Sequence, residues 1–310
     1  MAAEIEIEIA LELDMSLGES PLWSEARQTL YWVDINRGTI YAWHPGSGAP
    51  PETITLEEKV GCIALCEDGL LASMSPGIVR LRLPFDGRLE RLAANPEWKQ
   101  EGKKEGREER QEGQGNRFND GRCDPAGRFW VGTIDAEERH PTAALYCLES
   151  GELVRRQAKL GIANGLAFSP DQRWLYHTDS LTRRILRYPF DAASGATGAP
   201  QTWVDLNVLG LPGVPDGAAV DSEGCYWSAL YDGGRVVRFS PQGELLAEIE
   251  VPCPHPTMPA FGGRDLRTLY ITTATQHLDG EGRARWPAAG SLLSVTLDVP
   301  GLAEPAWSGG

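Results

Sequence analysis

Glu19, Asn119, Asn164 and Asp216 stand at the same point of a phrase that recurs along the chain, at the start of an apolar run. Each carries a side-chain oxygen. Glu19, Asn164 and Asp216 together offer two carboxylates and one amide carbonyl. Completed by water, that set suits one hard or borderline divalent cation such as Ca²⁺, Mg²⁺ or Mn²⁺, with Zn²⁺ and Fe²⁺ also open. Soft structural metal sites are not expected: the five histidines show no HExxH spacing and the six cysteines no CxxC pair. Arg117 stands two residues before Asn119 in RFND, and residues two apart on an extended strand share a face. Both are expected to reach a polyhydroxylated ligand beside the cation, with Arg117 suited to an anion or a developing oxyanion. Glu137, in GTIDAEE, is a third candidate on the substrate side. A local account competes: Asn-Gly, Asn-Asp-Gly and Asp-Gly are ordinary turn formers, and Arg117 has Glu137 or Asp120 as ion-pair partners at a sheet edge. Glu19 sits in GESP, where no such turn is needed, and this favours one shared site.

Residues so far apart meet only if the fold gathers them, and the repeat shows how. The copies are SPLWSEARQTLYWVD (Ser20–Asp34), GCIALCEDGLLAS (Gly61–Ser73), NDGRCDPAGRFWVGT (Asn119–Thr133), NGLAFSPDQRWLYHTD (Asn164–Asp179), DGAAVDSEGCYWSA (Asp216–Ala229) and PAFGGRDLRTLYIT (Pro259–Thr272). They recur roughly every 40 to 60 residues, the period of radial or solenoid arrays. Each reads as an apolar strand, a Gly/Asp turn and a second strand, most often carrying Trp or Tyr. A third strand follows, as in GTIYAWHP, ALYCLES and GRVVRFSPQG, and no stretch carries a useful helical stripe. This predicts one all-β domain over residues 1–310, a six-bladed β-propeller of antiparallel four-stranded blades. The innermost strands would line a central channel, and the equivalent positions there are Glu19, Val60–Cys62, Asn119, Asn164, Asp216 and Thr257–Met258. The alternating EIEIEI at the N-terminus and LLSVTLDV near the C-terminus are expected to share a blade and close the ring. The charged segment Trp98–Gly115, WKQEGKKEGREERQEGQG, reads as a surface insertion, a solvated loop or short exposed helix, with a lid over the channel mouth as the alternative.

Composition narrows the partners. The formal net charge of -15 gives no positive footprint for nucleic acid. No run is long or apolar enough for a membrane helix, and the N-terminus lacks the basic and apolar parts of a secretory signal. The six cysteines lie in or near strand-like stretches and read as buried thiols of a cytoplasmic protein. No strongly apolar surface pattern points to an obligate assembly, so a monomer or weak homo-oligomer is expected.

GESPLW, RFNDG, GTID, NGLAFSPD and PDGAAVD, in that order, resemble the senescence marker protein-30/gluconolactonase family with its regucalcin-like members, across about residues 14–300. The closest resemblance is to bacterial lactonases of xylono-, arabino- or gluconolactone. It implies a single divalent cation at Glu19, Asn164 and Asp216. It also implies substrate contacts from Arg117 and Asn119, with Glu137 at the position of a further substrate-side acid. The charged insertion before Arg117 departs from the family pattern. Tyr146, Trp227 and Phe261 read as wall or core residues. The implied reaction is metal-assisted hydrolysis of a γ- or δ-lactone, with Asp216 as the base that accepts the water's proton, compromised by its own ligation. Two other readings stand beside it. One is a hydrolase of aryl esters, other lactones or organophosphates on the same scaffold. The other is a non-enzymatic Ca²⁺-binding protein.

Overall fold

A computed structural model of the chain describes residues 6–98 and 115–309. It is a six-bladed β-propeller. Each repeated phrase forms the two inner strands of one blade. Blade 1 opens with Gly18–Ser24, blade 2 with Val60–Cys66, blade 3 with Arg117–Cys123, blade 4 with Ala163–Phe168, blade 5 with Val214–Val220 and blade 6 with Pro256–Gly262. These six inner strands touch one another in a closed circle around the channel. Blades 1, 2, 3 and 5 are four-stranded, and blade 4 carries an additional two-residue strand, Ala196–Thr197. In blade 6 the outermost strand is Glu8–Leu11, paired antiparallel with Leu292–Thr296. The chain ends thus meet in one sheet, as the alternating terminal strands predict. The residues between 99 and 114, most of the charged insertion, lie outside the described residues. Its two flanks are pinned together by Gly115 N donating to Glu97 O at 2.9 Å and Asn95 Nδ2 to Asn116 O at 3.0 Å.

The core is divided by the symmetry. Six apolar clusters form, each filling one gap between neighbouring blades. Trp32, Trp130, Tyr176 and Tyr226 on the second strands are fully buried there. Two copies of the turn phrase repeat in atomic detail. In DPAGRFW, Asp124 accepts from the backbone N of Ala126 and Arg128, and its second oxygen from Trp130 Nε1 at 3.0 Å. In DSEGCYW, Asp221 does the same with Glu223, Cys225 and Trp227 Nε1 at 2.9 Å. One buried carboxylate therefore sets both the hairpin turn and the tryptophan that packs the gap. All six cysteines are buried and free. Among the described residues no helix is long and apolar enough to cross a membrane.

Close approach of second-strand side chains requires glycine beside Asn164. Gly165 follows Asn164 at φ +57°, and a Cβ there would lie 2.3 Å from Tyr226 Oη and 2.5 Å from Thr178 Oγ1. Its carbonyl also accepts from Tyr226 Oη at 2.7 Å. Gly165→Ala is expected to cost about 3 kcal/mol, from overpacking and a left-handed backbone together. Guanidinium denaturation checks this, and an unchanged midpoint would show that the neighbouring blade yields freely.

Candidate active site

Every inner strand breaks register with its neighbour near its start. The breaks fall between Glu19 and Leu22, Val60 and Ile63, Phe118 and Gly121, Asn164 and Ala167, Pro215 and Ala218, and Pro256 and Met258. A bulge inserts an unpaired residue and re-aims side chains. Here it does so at the same level of all six blades. Glu19, Asn119, Asn164 and Asp216 lie at four of these breaks and line one cavity of about 250 Å³ at that end of the channel, together with Arg117. Of the other two equivalent positions, Val60 is buried, and Thr257 is turned to structural work, its Oγ1 donating to Gly18 O at 2.5 Å and lying 2.8 Å from Thr272 Oγ1.

The polar side chains are linked into a relay. Arg117 Nη1 donates to Asn119 Oδ1 at 2.8 Å and to Phe118 O at 2.9 Å. Asn119 Nδ2 donates to Asn164 Oδ1 at 2.7 Å and to Ala163 O at 3.0 Å. Asn164 Nδ2 donates to Ser180 Oγ at 2.9 Å, and Ser180 Oγ to Pro215 O at 2.6 Å, next to Asp216. Asn119 thus fixes which end of the Asn164 amide faces it, as well as orienting Arg117. Glu19 Oε2 accepts from Ser20 N at 2.9 Å, and Ser20 is held at φ +50°.

Burial dominates the electrostatics. Glu19, Asn119, Asn164 and Asp216 are each less than a tenth exposed. Burial, then the charge of Asp120, pushes the Glu19 carboxyl up to about 8. Burial, then the charges of Glu19 and Asp120, holds Asp216 well above the usual carboxylate range. Arg117 is the counter-charge to both, and burial pulls its guanidinium below its ordinary value. Two buried carboxylates pushed upward in one cavity are what a divalent cation would relieve. Asn164 adds an amide oxygen, so the donors are all hard, and the set fits such an ion. Among the described residues no three His, Cys, Asp or Glu side chains form a metal-sized group.

Glu137 is placed differently from the expectation. It lies outside the cavity lining and pairs with Arg139 at 2.6 Å. The neighbouring Glu138 lines the cavity instead. The cause is a tight turn: Asp135 Oδ2 accepts from the backbone N of Glu137, Arg139 and His140, and Glu138 adopts φ +55°. Nor does Arg117 form an ion pair with Glu137, whose charge is taken by Arg139. The sequence reading also missed Tyr231, at the end of the second strand of blade 5, and Asp232, Gln276 and His277, from the loops after the second strands of blades 5 and 6, which complete the mouth. Tyr146, Trp227 and Phe261 are buried, as a wall or core role requires.

The opposite end of the channel is covered by the C-terminal segment. Gly301 bridges to Asp221 of blade 5 and Trp307 to Cys66 of blade 2. Between them Glu304 meets Arg122 at 3.4 Å. The cavity with Glu19 and Asp216 lies at the other end, with the exposed Asp232 side chain among its lining.

A six-bladed propeller with one polar, carboxylate-bearing cavity at the start of its inner strands is the class that fold and site define. Residues 17–275 match the family model described as the SMP-30/gluconolactonase/LRE-like region, and the chain belongs to that family. It is 43% identical to a 6-deoxy-6-sulfogluconolactonase of Pseudomonas putida, over 94% of this chain and 95% of that protein. It is 34% identical to a pentonolactonase of Haloferax volcanii, over 93% of each chain. The crystal structure of a calcium-binding regucalcin from Agrobacterium tumefaciens superposes with a TM-score of 0.87 at 28% identity, over 98% of this chain and 97% of that one.

Proposed function

We propose that the protein hydrolyses a sugar lactone to its aldonic acid, with Glu19, Asn164 and Asp216 holding one divalent cation beside Arg117 and Asn119. One observation carries the reading: oxygen side chains from four blades converge on one small cavity, two of them buried carboxylates that burial and neighbouring acidic charge push upward. The lactonase relatives support the reaction, and the calcium-binding relative supports the cation. Their named substrates differ in the arm attached to the ring, so the arm is where specificity among relatives must be set. Six buried free thiols fit a reducing compartment, and we place the protein in the cytoplasm.

A divalent cation bound there would polarise the lactone carbonyl as a Lewis acid. Asp216 takes a proton from the attacking water. Arg117, fixed by Asn119 and the Phe118 carbonyl, faces negative charge as it develops on the carbonyl oxygen. Water adds to the acyl carbon and the ring C–O bond breaks. The ring oxygen leaves as a hydroxyl, taking back the proton that Asp216 accepted. The amides, carboxylates and guanidinium of the pocket suit a hydroxylated substrate, and Leu17, Ile35, Ile134, Ile162 and Val214 share the lining.

The test is hydrolysis by metal-stripped protein, re-supplied with each divalent ion in turn, across a panel of aldonolactones and one aryl ester. Cation-dependent turnover of a sugar lactone well above the ester is the expected result. Tight cation binding with no lactone turnover would replace catalysis by a binding role. Turnover of the ester alone would replace the sugar substrate.

A further inference from the structure

At the mouth of the cavity, Asp232 and His255 form a pair that the reaction above does not use. His255 Nε2 lies 2.8 Å from Asp232 Oδ1. The two residues come from different blades: Asp232 from the turn after Tyr226–Tyr231 in blade 5, and His255 from just before Pro256–Gly262 in blade 6. His255 is 4% exposed and stacks on Tyr231, with centroids 4.4 Å apart and planes 5° from parallel. Its Nδ1 is buried without a partner. The imidazole is therefore clamped on its face by Tyr231 and can serve only Asp232. Burial pulls its pKa below the ordinary value despite the neighbouring carboxylate. Asp232 itself takes a left-handed backbone, φ +60°. Non-glycine residues in that region cost energy and gather at functional sites.

Depth separates the tasks. Glu19 and Asp216 are buried, while the Asp232 side chain is 66% exposed and lines the same cavity. A ring held at the buried carboxylates would leave its arm at the mouth. The second mouth carboxylate is Glu138. Among the described lining residues Arg117, at the inner level, is the one Lys or Arg side chain. The mouth thus presents two carboxylate acceptors: Glu138 faces the charges of Arg117 and Lys59, and Asp232 is paired with His255.

We propose that Asp232, held in place by His255, is a specificity-determining residue: it accepts a hydrogen bond from a hydroxyl on the lactone's arm and rejects an anion at that position. This rests on the lactonase reading. His255 acts through Asp232 and is a positioning residue.

The test compares D-glucono-1,5-lactone with its 6-deoxy-6-sulfo counterpart, measuring kcat and KM for the wild type, Asp232→Asn and His255→Gln. The wild type should favour the neutral lactone about tenfold or more in kcat/KM. Asp232→Asn should lower kcat/KM for the neutral lactone several-fold, and raise it for the sulfonated one about tenfold, chiefly through KM. His255→Gln should raise KM for the neutral lactone with a smaller gain on the sulfonated one, because the charge stays while its orientation is lost. A wild-type preference for the sulfonated lactone, or an unchanged ratio in Asp232→Asn, would overturn the proposal. Wild-type turnover of an aryl ester but of neither lactone would remove the lactonase reading and the proposal with it.

Discussion

Replacing Asp216 with alanine is expected to lower lactone turnover by about a thousandfold, the range associated with loss of a positioned base, and to remove most of the cation affinity. Both losses follow from one side chain. Asp216 is buried, lies beside Glu19 in charge, and is the carboxylate whose neighbours on either side are fixed. Pro215 O is held by Ser180, and Gly217 is packed so closely that a Cβ would lie 2.4 Å from Met258 Cβ. The fold itself should not suffer. Burial and the charge of Glu19 both disfavour the Asp216 carboxylate, so removing it lifts that cost in the cation-free protein and the thermal midpoint should hold or rise. Asp216→Asn keeps the shape and deletes the charge, and should lose turnover and cation binding nearly as fully. Calorimetric cation titration and a lactone assay on both variants check this. Turnover retained with cation still bound would remove Asp216 from the chemistry. A drop in midpoint matching the drop in activity would make its role structural.

Much of this molecule was legible because a repeat carries its own register. Once SPLWSEARQTLYWVD and DGAAVDSEGCYWSA are aligned, Glu19 and Asp216 fall at one level of the channel whatever the loops between them do. The alternating terminal strands likewise announced ring closure, which the pairing of Glu8 with Ser294 realises. Alternation fails at turns. Glu137 is a candidate by its place in GTIDAEE, and nothing in that string shows that Asp135 gathers three backbone N–H groups or that Glu138 takes a left-handed backbone. The pair Asp232–His255 was invisible for another reason. Its members belong to different blades and to loops outside the repeated phrase, so no spacing rule connects them. The same holds for Glu304 and Arg122 at the far mouth. The repeat fixes where strands begin, but loops are placed by contacts between blades.

Lowering the pH from about 6.5 to about 4 is expected to cost this fold about 3 kcal/mol through one histidine. His177, on the second strand of blade 4, is 1% exposed, and neither ring nitrogen has a hydrogen-bond partner. Burial alone pulls its pKa down to about 4, from the ordinary 6.5. The folded state therefore refuses a proton that the unfolded chain accepts. Between those two values unfolding takes up a proton, so the stability present above 6.5 drains away as the pH falls through the window. Below about 4 both states are protonated and the loss stops. Other groups titrate in the same range: burial raises Asp179 on the same strand, which works in the opposite direction. A comparison with His177→Leu isolates the histidine, since leucine is close in volume and has no nitrogen to leave unpaired. At pH 8 the variant should be as stable as the wild type or more so, because two unsatisfied buried nitrogens have gone. At pH 4.5 it should be more stable than the wild type by an additional 2 to 3 kcal/mol, roughly the part of the loss accrued by that pH. Denaturant midpoints for both proteins across pH 4.5 to 8 decide it. Parallel curves would show that the His177 ring reaches water or a partner in solution and does not resist the proton.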